Sequence, residues 1–248
     1  MKPREMSVTL AFSTLTLWAG VLPSVVAAES PHSITANIGV VSNYIWRGNT
    51  QTGNQPAVQG GINYAHESGF YAGTWMSNVD FLDSHGNDTN YELDLTTGFG
   101  RSINEDFKYD FNLIYIAYPD GRDLNFSEVG ASATYKWLTA GIAYTVYGQG
   151  DNAPGVANGN ALFIQGDLYY HAALDFELPF NLGLNLHGGY YDFSYNDGGN
   201  DYAHWGASIS RKAGDFGTFS FNYDQIGRDS RVGYDQDPKL WIGWNKAF

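Results

Sequence analysis

Residues 107–115 read FKYDFNLIY, and apolar and polar side chains alternate along this stretch. The apolar set is Phe107, Tyr109, Phe111, Leu113 and Tyr115, and the polar set between them is Lys108, Asp110 and Asn112. Successive side chains of a β-strand point to opposite faces of the sheet. The stretch therefore predicts a strand with one apolar face and one polar face.

The same alternation recurs about twelve times beyond residue 30, and short and long connections separate these segments in turn. Short connections are expected at 66–68, 104–106, 137–139, 179–180 and 212–215, and long ones at 48–55, 82–90, 119–125, 148–160, 194–201 and 227–237. Outer-membrane barrels have short periplasmic turns and longer external loops. The sequence thus predicts an all-β fold, a transmembrane up-and-down antiparallel β-barrel of about 12 strands. A soluble β-sandwich is the alternative, but that fold gives no physical reason for short and long connections to alternate along the chain.

The alternating faces predict which side chains meet lipid. Inside a bilayer every backbone N–H and C=O must be paired, so only a closed sheet can span it. The apolar face of each strand is expected to contact acyl chains, and the polar face to line the interior. On one strand the apolar face is expected to consist of Tyr71, Trp75, Val79 and Phe81. The first strand is expected to run from Ile34 to Trp46, with Tyr44 and Trp46 in an aromatic girdle at the headgroup level.

The N-terminus has the features of an export signal. Lys2 and Arg4 precede an apolar stretch at about 8–26, which ends in the small residues Ala27 and Ala28. This pattern predicts a cleaved secretory signal peptide at 1–28 and a barrel domain at 29–248, with an uncleaved anchor as the alternative. The chain has no cysteine, and its net charge of −13 makes nucleic acid a poor partner.

The polar faces gather acidic side chains, which suggests a channel. The candidate pore-lining residues are Arg47, Glu92, Asp94, Lys108, Asp110, Glu128, Lys136, Asp167, His171, Asp175 and His187. Carboxylates around a narrow pore concentrate cations and repel anions. The pattern favours passage of cationic or neutral solutes. The alternative is that acids and bases pair across the interior and only stiffen the barrel.

The sequence also contains two possible metal sites and one possible catalytic pair, and these patterns are less specific than the pore-lining pattern. A turn at Pro179 would place His171 and His187 almost opposite each other, where they could share a metal, although two solvated histidines are the simpler interpretation. The Asp/Asn/Gly-rich residues 196–201 could hold Ca²⁺ but equally suit a turn. His66 and Ser68 lie in an expected turn, and no strained nucleophile motif surrounds any serine. We expect no enzyme activity and no cofactor.

Several stretches resemble a known family. These are SNYIWRG at 42–48, QT at 51–52, PAVQGG at 56–61, GFYAGTWMSNVDF at 69–81, YELD at 91–94 and AYP at 117–119. They are similar to the TorF-family porins, a group of proteobacterial conserved hypothetical proteins also named Gcw_chp. The resemblance implies an outer-membrane barrel with a transport role, and it supplies no catalytic residues.

The C-terminus resembles the signal read by the barrel-assembly machinery, because apolar residues precede Phe248 at alternate positions, apart from Lys246. The expected partners are outer-membrane lipid and lipopolysaccharide, the assembly machinery during insertion, and small hydrophilic solutes. The sequence therefore predicts a porin-like channel in the cell outer membrane. The alternatives are a non-conducting structural or interaction barrel with partner-binding extracellular loops and, third, a membrane-embedded hydrolase.

Overall fold

The computed structural model describes residues 30–195, 199–227 and 234–248, and most of them form β-strands. The strands are β1 (His32–Val41), β2 (Ile45–Trp46), β3 (Asn49–Thr50), β4 (Ala57–His66), β5 (Phe70–Leu82), β6 (Asp88–Ser102), β7 (Phe107–Ala117), β8 (Phe126–Tyr135), β9 (Leu138–Gly148), β10 (Leu168–Leu178), β11 (Leu182–Asp192), β12 (Tyr202–Lys212), β13 (Thr218–Ile226) and β14 (Lys239–Ala247). Short 3₁₀ turns occupy Gly150–Asn152, Pro179–Asn181 and Gly214–Phe216. No helix in these ranges is both long and apolar enough to cross a membrane. The expected signal peptide at 1–28 lies outside the described residues.

Twelve of the strands form a closed antiparallel barrel, as the sequence predicts. From β4 to β14 each strand pairs with its neighbours in the chain, and β1 closes the sheet by pairing with both β4 and β14. The closing ladder runs from Asn37 opposite Ala247 to Val41 opposite Gly243. Closure leaves the sheet without a free edge, so its backbone groups are paired within the sheet.

The connections divide between the two ends of the barrel. Short turns join strands at 67–69, 103–106, 136–137, 179–181 and 213–217. We call this the short-turn end. The opposite end, which we call the long-loop end, carries 42–56, 83–87, 118–125 and 149–167, and there β11 and β13 end and β12 and β14 begin. The connection 83–87 is shorter than expected because β5 and β6 extend to Leu82 and from Asp88.

The outer surface of the barrel is apolar. Ile34 is 73% exposed and Ile62 is 56% exposed, and large apolar side chains are exposed around the whole circumference. A water-soluble protein rarely exposes a contiguous apolar patch of this extent. The arrangement fits a lipid-facing wall, as expected for a transmembrane barrel.

One strand presents the opposite face from the one expected. On β5 Phe70, Met76 and Leu82 are exposed, whereas Val79 is buried and Trp75 contacts Tyr44 inside the barrel. The register with β4, in which Gly61 is opposite Trp75, places Tyr71 and Trp75 on the interior face. The prediction that this aromatic face meets lipid is wrong, because Trp75 packs against Tyr44 and the hydroxyl of Tyr71 donates to Asp110 inside the barrel.

The expected first strand also ends early. β1 stops at Val41, and residues 42–56, which we call the inner segment, turn into the barrel. Tyr44 and Trp46 are 2% and 8% exposed, so they belong to the packed interior and not to a girdle at the headgroup level. Two buried aromatic side chains stabilise this inward course, since their burial removes a large apolar area from water.

A charge placed on the lipid-facing wall tests these orientations. We expect Leu95→Arg to cost about 2–4 kcal/mol of folding free energy in lipid vesicles, because Leu95 is near the middle of β6 and faces outward. Thr96→Arg is the matched control, since the next side chain faces the interior. Equal losses in urea titrations of the two variants would contradict the assignment of faces.

Candidate functional site: the barrel interior and its inner segment

The barrel interior has two zones. Toward the long-loop end a buried aromatic and aliphatic cluster fills it, formed by Tyr44, Trp46, Ala57, Val79, Ile114, Ile116, Tyr118, Phe126, Tyr169, Tyr191, Phe193, Tyr202 and Ile226. Toward the short-turn end the interior positions are mostly polar: Asn63, Thr96, Asp110, Asn112, Ser132, Thr134, Asp175, Asn185, Ser208, Ser210, Ser220 and Asn245. The interior is therefore packed at one end and hydrophilic at the other.

The inner segment carries a minimal hairpin into the packed zone. β2 and β3 pair, with Trp46 opposite Asn49, and Arg47 and Gly48 form the two-residue turn. Both turn residues have positive φ, 48° and 83°, as a type I′ turn requires. A Cβ on Gly48 would lie 2.6 Å from the Cβ of His204, so only glycine fits at this point. The tip of the hairpin thus reaches the wall at β12.

The guanidinium of Arg47 binds the carboxylate of Glu128 on β8. Nη1 donates to Oε1 at 2.8 Å and Nη2 donates to Oε2 at 2.6 Å, so the pair is bidentate. The two side chains are 9% and 3% exposed. Such planar, charge-assisted pairs combine strength with geometric specificity. A buried pair of this kind fixes the inner segment against the wall.

Aromatic rings surround the same guanidinium. Its central carbon lies 3.9 Å from the ring centre of Tyr169 and 5.1 Å from that of Tyr191. Tyr191 also donates from its hydroxyl to Glu128 at 3.0 Å, and the hydroxyl of Tyr169 is 2.8 Å from Nε2 of His204. Cation–π contacts strengthen when the cation is desolvated. Arg47 is therefore held by a carboxylate and two aromatic faces of the wall.

A second contact anchors the start of the inner segment. The hydroxyl of Tyr44 donates to Glu92 on β6 at 2.9 Å, and the Tyr44 ring packs edge-on against Trp75 at 5.5 Å. Burial raises the pKa of Tyr44 well above its usual value, and the nearby carboxylates of Glu92 and Asp94 raise it further. Tyr44 therefore stays protonated and remains a hydrogen-bond donor at neutral pH.

Two other interior carboxylates accept hydrogen bonds from neutral donors on the wall. Asp110 accepts from the hydroxyl of Tyr71 at 2.9 Å, and Asp224 accepts from Nε1 of Trp241 at 2.8 Å. Asp94 is fully buried next to Glu92 on the interior face of β6. Among the described ion pairs, only Arg47–Glu128 joins an arginine or lysine to one of the wall carboxylates named above. The interior consequently carries more acidic than basic groups.

Four of the candidate lining residues occupy less central positions. Asp167 precedes β10 in the loop, where its carboxylate accepts from the backbone N–H of Ile164 and of Ser194. Lys136 lies in the turn between β8 and β9, 3.7 Å from Asp106, so it is not on the wall. Lys108 is exposed near the short-turn end of β7, and Asp175 accepts from Asn185.

The two histidines lie close together on neighbouring strands, as expected, but they are diagonal neighbours and their rings have different partners. In the β10–β11 register His171 is opposite Gly189, and His187 is opposite Ala173. Nε2 of His187 lies 2.9 Å from Oδ1 of Asp224, whereas the His171 ring stacks on Tyr169. Within 30–195, 199–227 and 234–248 no group of three or more potential ligands could hold a metal ion. Residues 196–198 of the possible calcium loop lie outside these ranges.

The loops at the long-loop end are tied together by hydrogen bonds. Asp83 accepts from the backbone N–H groups of His85, Asn87 and Arg122, which joins 83–87 to 118–125. Partial desolvation raises the pKa of Asp83, but the hydrogen bonds to its charged form outweigh this and lower it to about 2. Asp83 therefore stays ionised at neutral pH.

Sequence reasoning missed the packed zone, although a signal was present. Leu113, Ile114, Tyr115, Ile116 and Ala117 form a continuous apolar run at the long-loop end of β7. A strand that is apolar on both faces is buried on both faces. Such a run predicts that something apolar packs inside the barrel at this level.

Comparisons with known proteins support the fold. A profile of the family described as "Bacterial protein of unknown function (Gcw_chp)" matches residues 26–239. A solved structure described as "KdgM porin" has a TM-score of 0.56 at 8% identity, covering 86% of this chain and 99% of its own. A second KdgM structure, in complex with disordered oligogalacturonate, has a TM-score of 0.54 at 8% identity and covers 87% and 98%. A NanC porin structure has a TM-score of 0.52 at 11% identity and covers 87% and 98%. The search of curated proteins gives no match.

Proposed function

The chain belongs to the Gcw_chp family, and from this membership and its barrel we propose that it is an outer-membrane, porin-like channel for passive diffusion of small hydrophilic solutes, cationic or neutral. The observation that carries the proposal is the contrast between the apolar outer wall and the interior, which is hydrophilic in its short-turn half and carries more acidic than basic groups. An export signal at 1–28 and contact with lipopolysaccharide and the assembly machinery belong to the same proposal.

The sign of the interior charge supports the solute class. Arg47 neutralises Glu128, while Asp110 and Asp175, on the hydrophilic side of the interior, take part in none of the described ion pairs. Unbalanced carboxylates in a narrow interior attract cations and repel anions. The KdgM structure with oligogalacturonate holds an acidic sugar. Because the interior of this barrel is acidic, we do not transfer that solute to it.

Interior rings lie flat against the wall, which supports passage through the short-turn half. A Cβ at Gly98 on β6 would clash with the ring of Tyr71, and one at Gly141 on β9 would clash with the ring of His171. Each ring therefore covers a glycine of the neighbouring strand and does not project into the bore. The bore of the polar half is therefore wider than it would be if these rings pointed toward the barrel axis.

Planar-bilayer recording tests the proposal. We expect small single-channel currents from the pure folded protein and a reversal potential in a KCl gradient that favours K⁺ over Cl⁻. Asp110→Asn should reduce this preference, because it removes a negative charge from the interior. Asp215→Asn, in an exposed turn, should leave it unchanged. A preference for Cl⁻ would contradict the solute class, and the absence of any conductance would contradict the channel.

A second function is favoured by the inner segment itself. Its aromatic side chains pack against wall residues in the long-loop half, so the barrel could be a closed structural or interaction protein whose outer loops bind a partner. Under this alternative neither the complete protein nor a variant without the hairpin conducts ions. Recording both proteins separates the two functions.

A further inference from the structure

We propose that Glu128, Tyr169 and Tyr191 form a binding site for a guanidinium-bearing solute, which Arg47 occupies as a built-in substitute. The inference rests on the proposed channel and names its solute class more narrowly. All three residues belong to wall strands, β8, β10 and β11, whereas the guanidinium comes from the inner segment. The groups that bind the guanidinium and the guanidinium itself therefore belong to separate parts of the chain.

The wall side of the site is assembled independently of Arg47. Tyr191 donates to Oε1 of Glu128 at 3.0 Å, which orients the carboxylate. His204 binds the Tyr169 hydroxyl at 2.8 Å and stacks on the Tyr169 ring with an interplanar angle of 7°. These contacts lie within β8 and β10–β12. They would hold the carboxylate and both rings in place if Arg47 left.

The chemistry of the site selects guanidinium over ammonium. Glu128 accepts two parallel N–H bonds, from Nη1 and Nη2, and this fork matches the planar guanidinium. The Tyr169 ring centre lies 3.9 Å from the central carbon, which suits a flat cation stacked on an aromatic face. A primary ammonium could make only one of the two carboxylate bonds in this geometry. The solute class is therefore an alkylguanidine or an arginine-like molecule.

Competition with Arg47 links binding to opening of the barrel. Arg47 is at the tip of a hairpin, and its bidentate pair fixes that hairpin to the wall. A solute that takes the place of its guanidinium removes this pair, so the inner segment loses its charged anchor. Binding of the solute class then favours the state in which the segment is displaced and the bore is wider. A ligand shifts such an equilibrium by its differential affinity for the two states.

The binding test uses the purified full chain without Arg47. We expect millimolar ethylguanidinium to raise the Tm of Arg47→Ala by several degrees in detergent, saturably, and ethylammonium at equal ionic strength to raise it much less. Arg47→Ala/Glu128→Gln is the matched control and should respond to neither ion. Equal responses to both ions, or an unchanged response in the double variant, would overturn the proposal. If Arg47→Ala does not fold, Arg47→Lys replaces it in the same test, because lysine keeps the positive charge but lacks the two parallel N–H donors of the guanidinium.

The opening test uses the wild-type protein in a bilayer. Ethylguanidinium added on the long-loop side should increase the open probability, and Glu128→Gln should abolish that increase. An unchanged wild-type open probability would overturn the displacement of Arg47, even if Arg47→Ala binds the ion. A Tm response without conductance from any variant would contradict the channel and leave the binding site supported.

Discussion

Replacing residues Ile45–Thr50 by two glycines is expected to increase the single-channel conductance several-fold. This exchange removes β2, β3 and the turn at Arg47 and Gly48, which together enter the packed zone of the interior. The conductance of a pore depends on its narrowest section, and the inner segment occupies the long-loop half of this barrel. Recordings from the variant and the wild type under the same salt conditions give the ratio directly.

The matched control shortens another loop on the same side. Residues 153–159 belong to the connection 149–167, and a Cβ at Gly155 or Gly159 would meet no neighbouring atom within 4 Å. We expect deletion of this tip to leave the conductance close to the wild-type value. If the two deletions have equal effects, the inner segment is not the constriction.

Glu128→Ala is expected to lower the free energy of unfolding by about 3–5 kcal/mol, since it leaves the Arg47 charge buried without its partner. Urea unfolding in detergent or lipid, followed by tryptophan fluorescence, measures this loss. Glu67→Ala in an exposed turn is the control for removing a carboxylate. A loss no larger than that of Glu67→Ala would show that the pair does not hold the segment.

A double-mutant cycle isolates the contribution of the pair. We expect Arg47→Ala to be destabilising as well, because the carboxylate of Glu128 then remains buried. The loss in Arg47→Ala/Glu128→Ala should be smaller than the sum of the two single losses, since neither charge is left alone. An additive result would indicate that the two side chains act independently.

The barrel could be predicted from the sequence because period-two alternation is a local property of each strand. β7 shows this, since Phe111 and Leu113 face outward and Asp110 faces inward as its pattern indicates. The inner segment could not be predicted in the same way. Tyr44 and Trp46 continue the alternation of Ile38 and Val40, so the pattern favours one longer strand.

The candidate site depends on contacts that alternation does not encode. Arg47 and Glu128 are separated by 81 positions in the chain, and their pairing requires a turn that points into the barrel. Arg47 and Gly48, both with positive φ, form that turn. Glycine adopts positive φ readily, so Gly48 is a local indication in the sequence that a turn occurs there. The β5 rings faced inward for a related reason, because Trp75 packs on Tyr44 from the inner segment.

The position of the inner segment in the chain determines when it can dock. Its partners Glu128, Tyr169 and Tyr191 lie in strands that are synthesised later, and they come together only when β8 to β11 have paired. The hairpin can therefore settle only as a late step of maturation, inside a wall that already exists. In water-soluble proteins, apolar collapse helps to bring the strands together, whereas here the pocket for Arg47 exists only once its wall strands are in place.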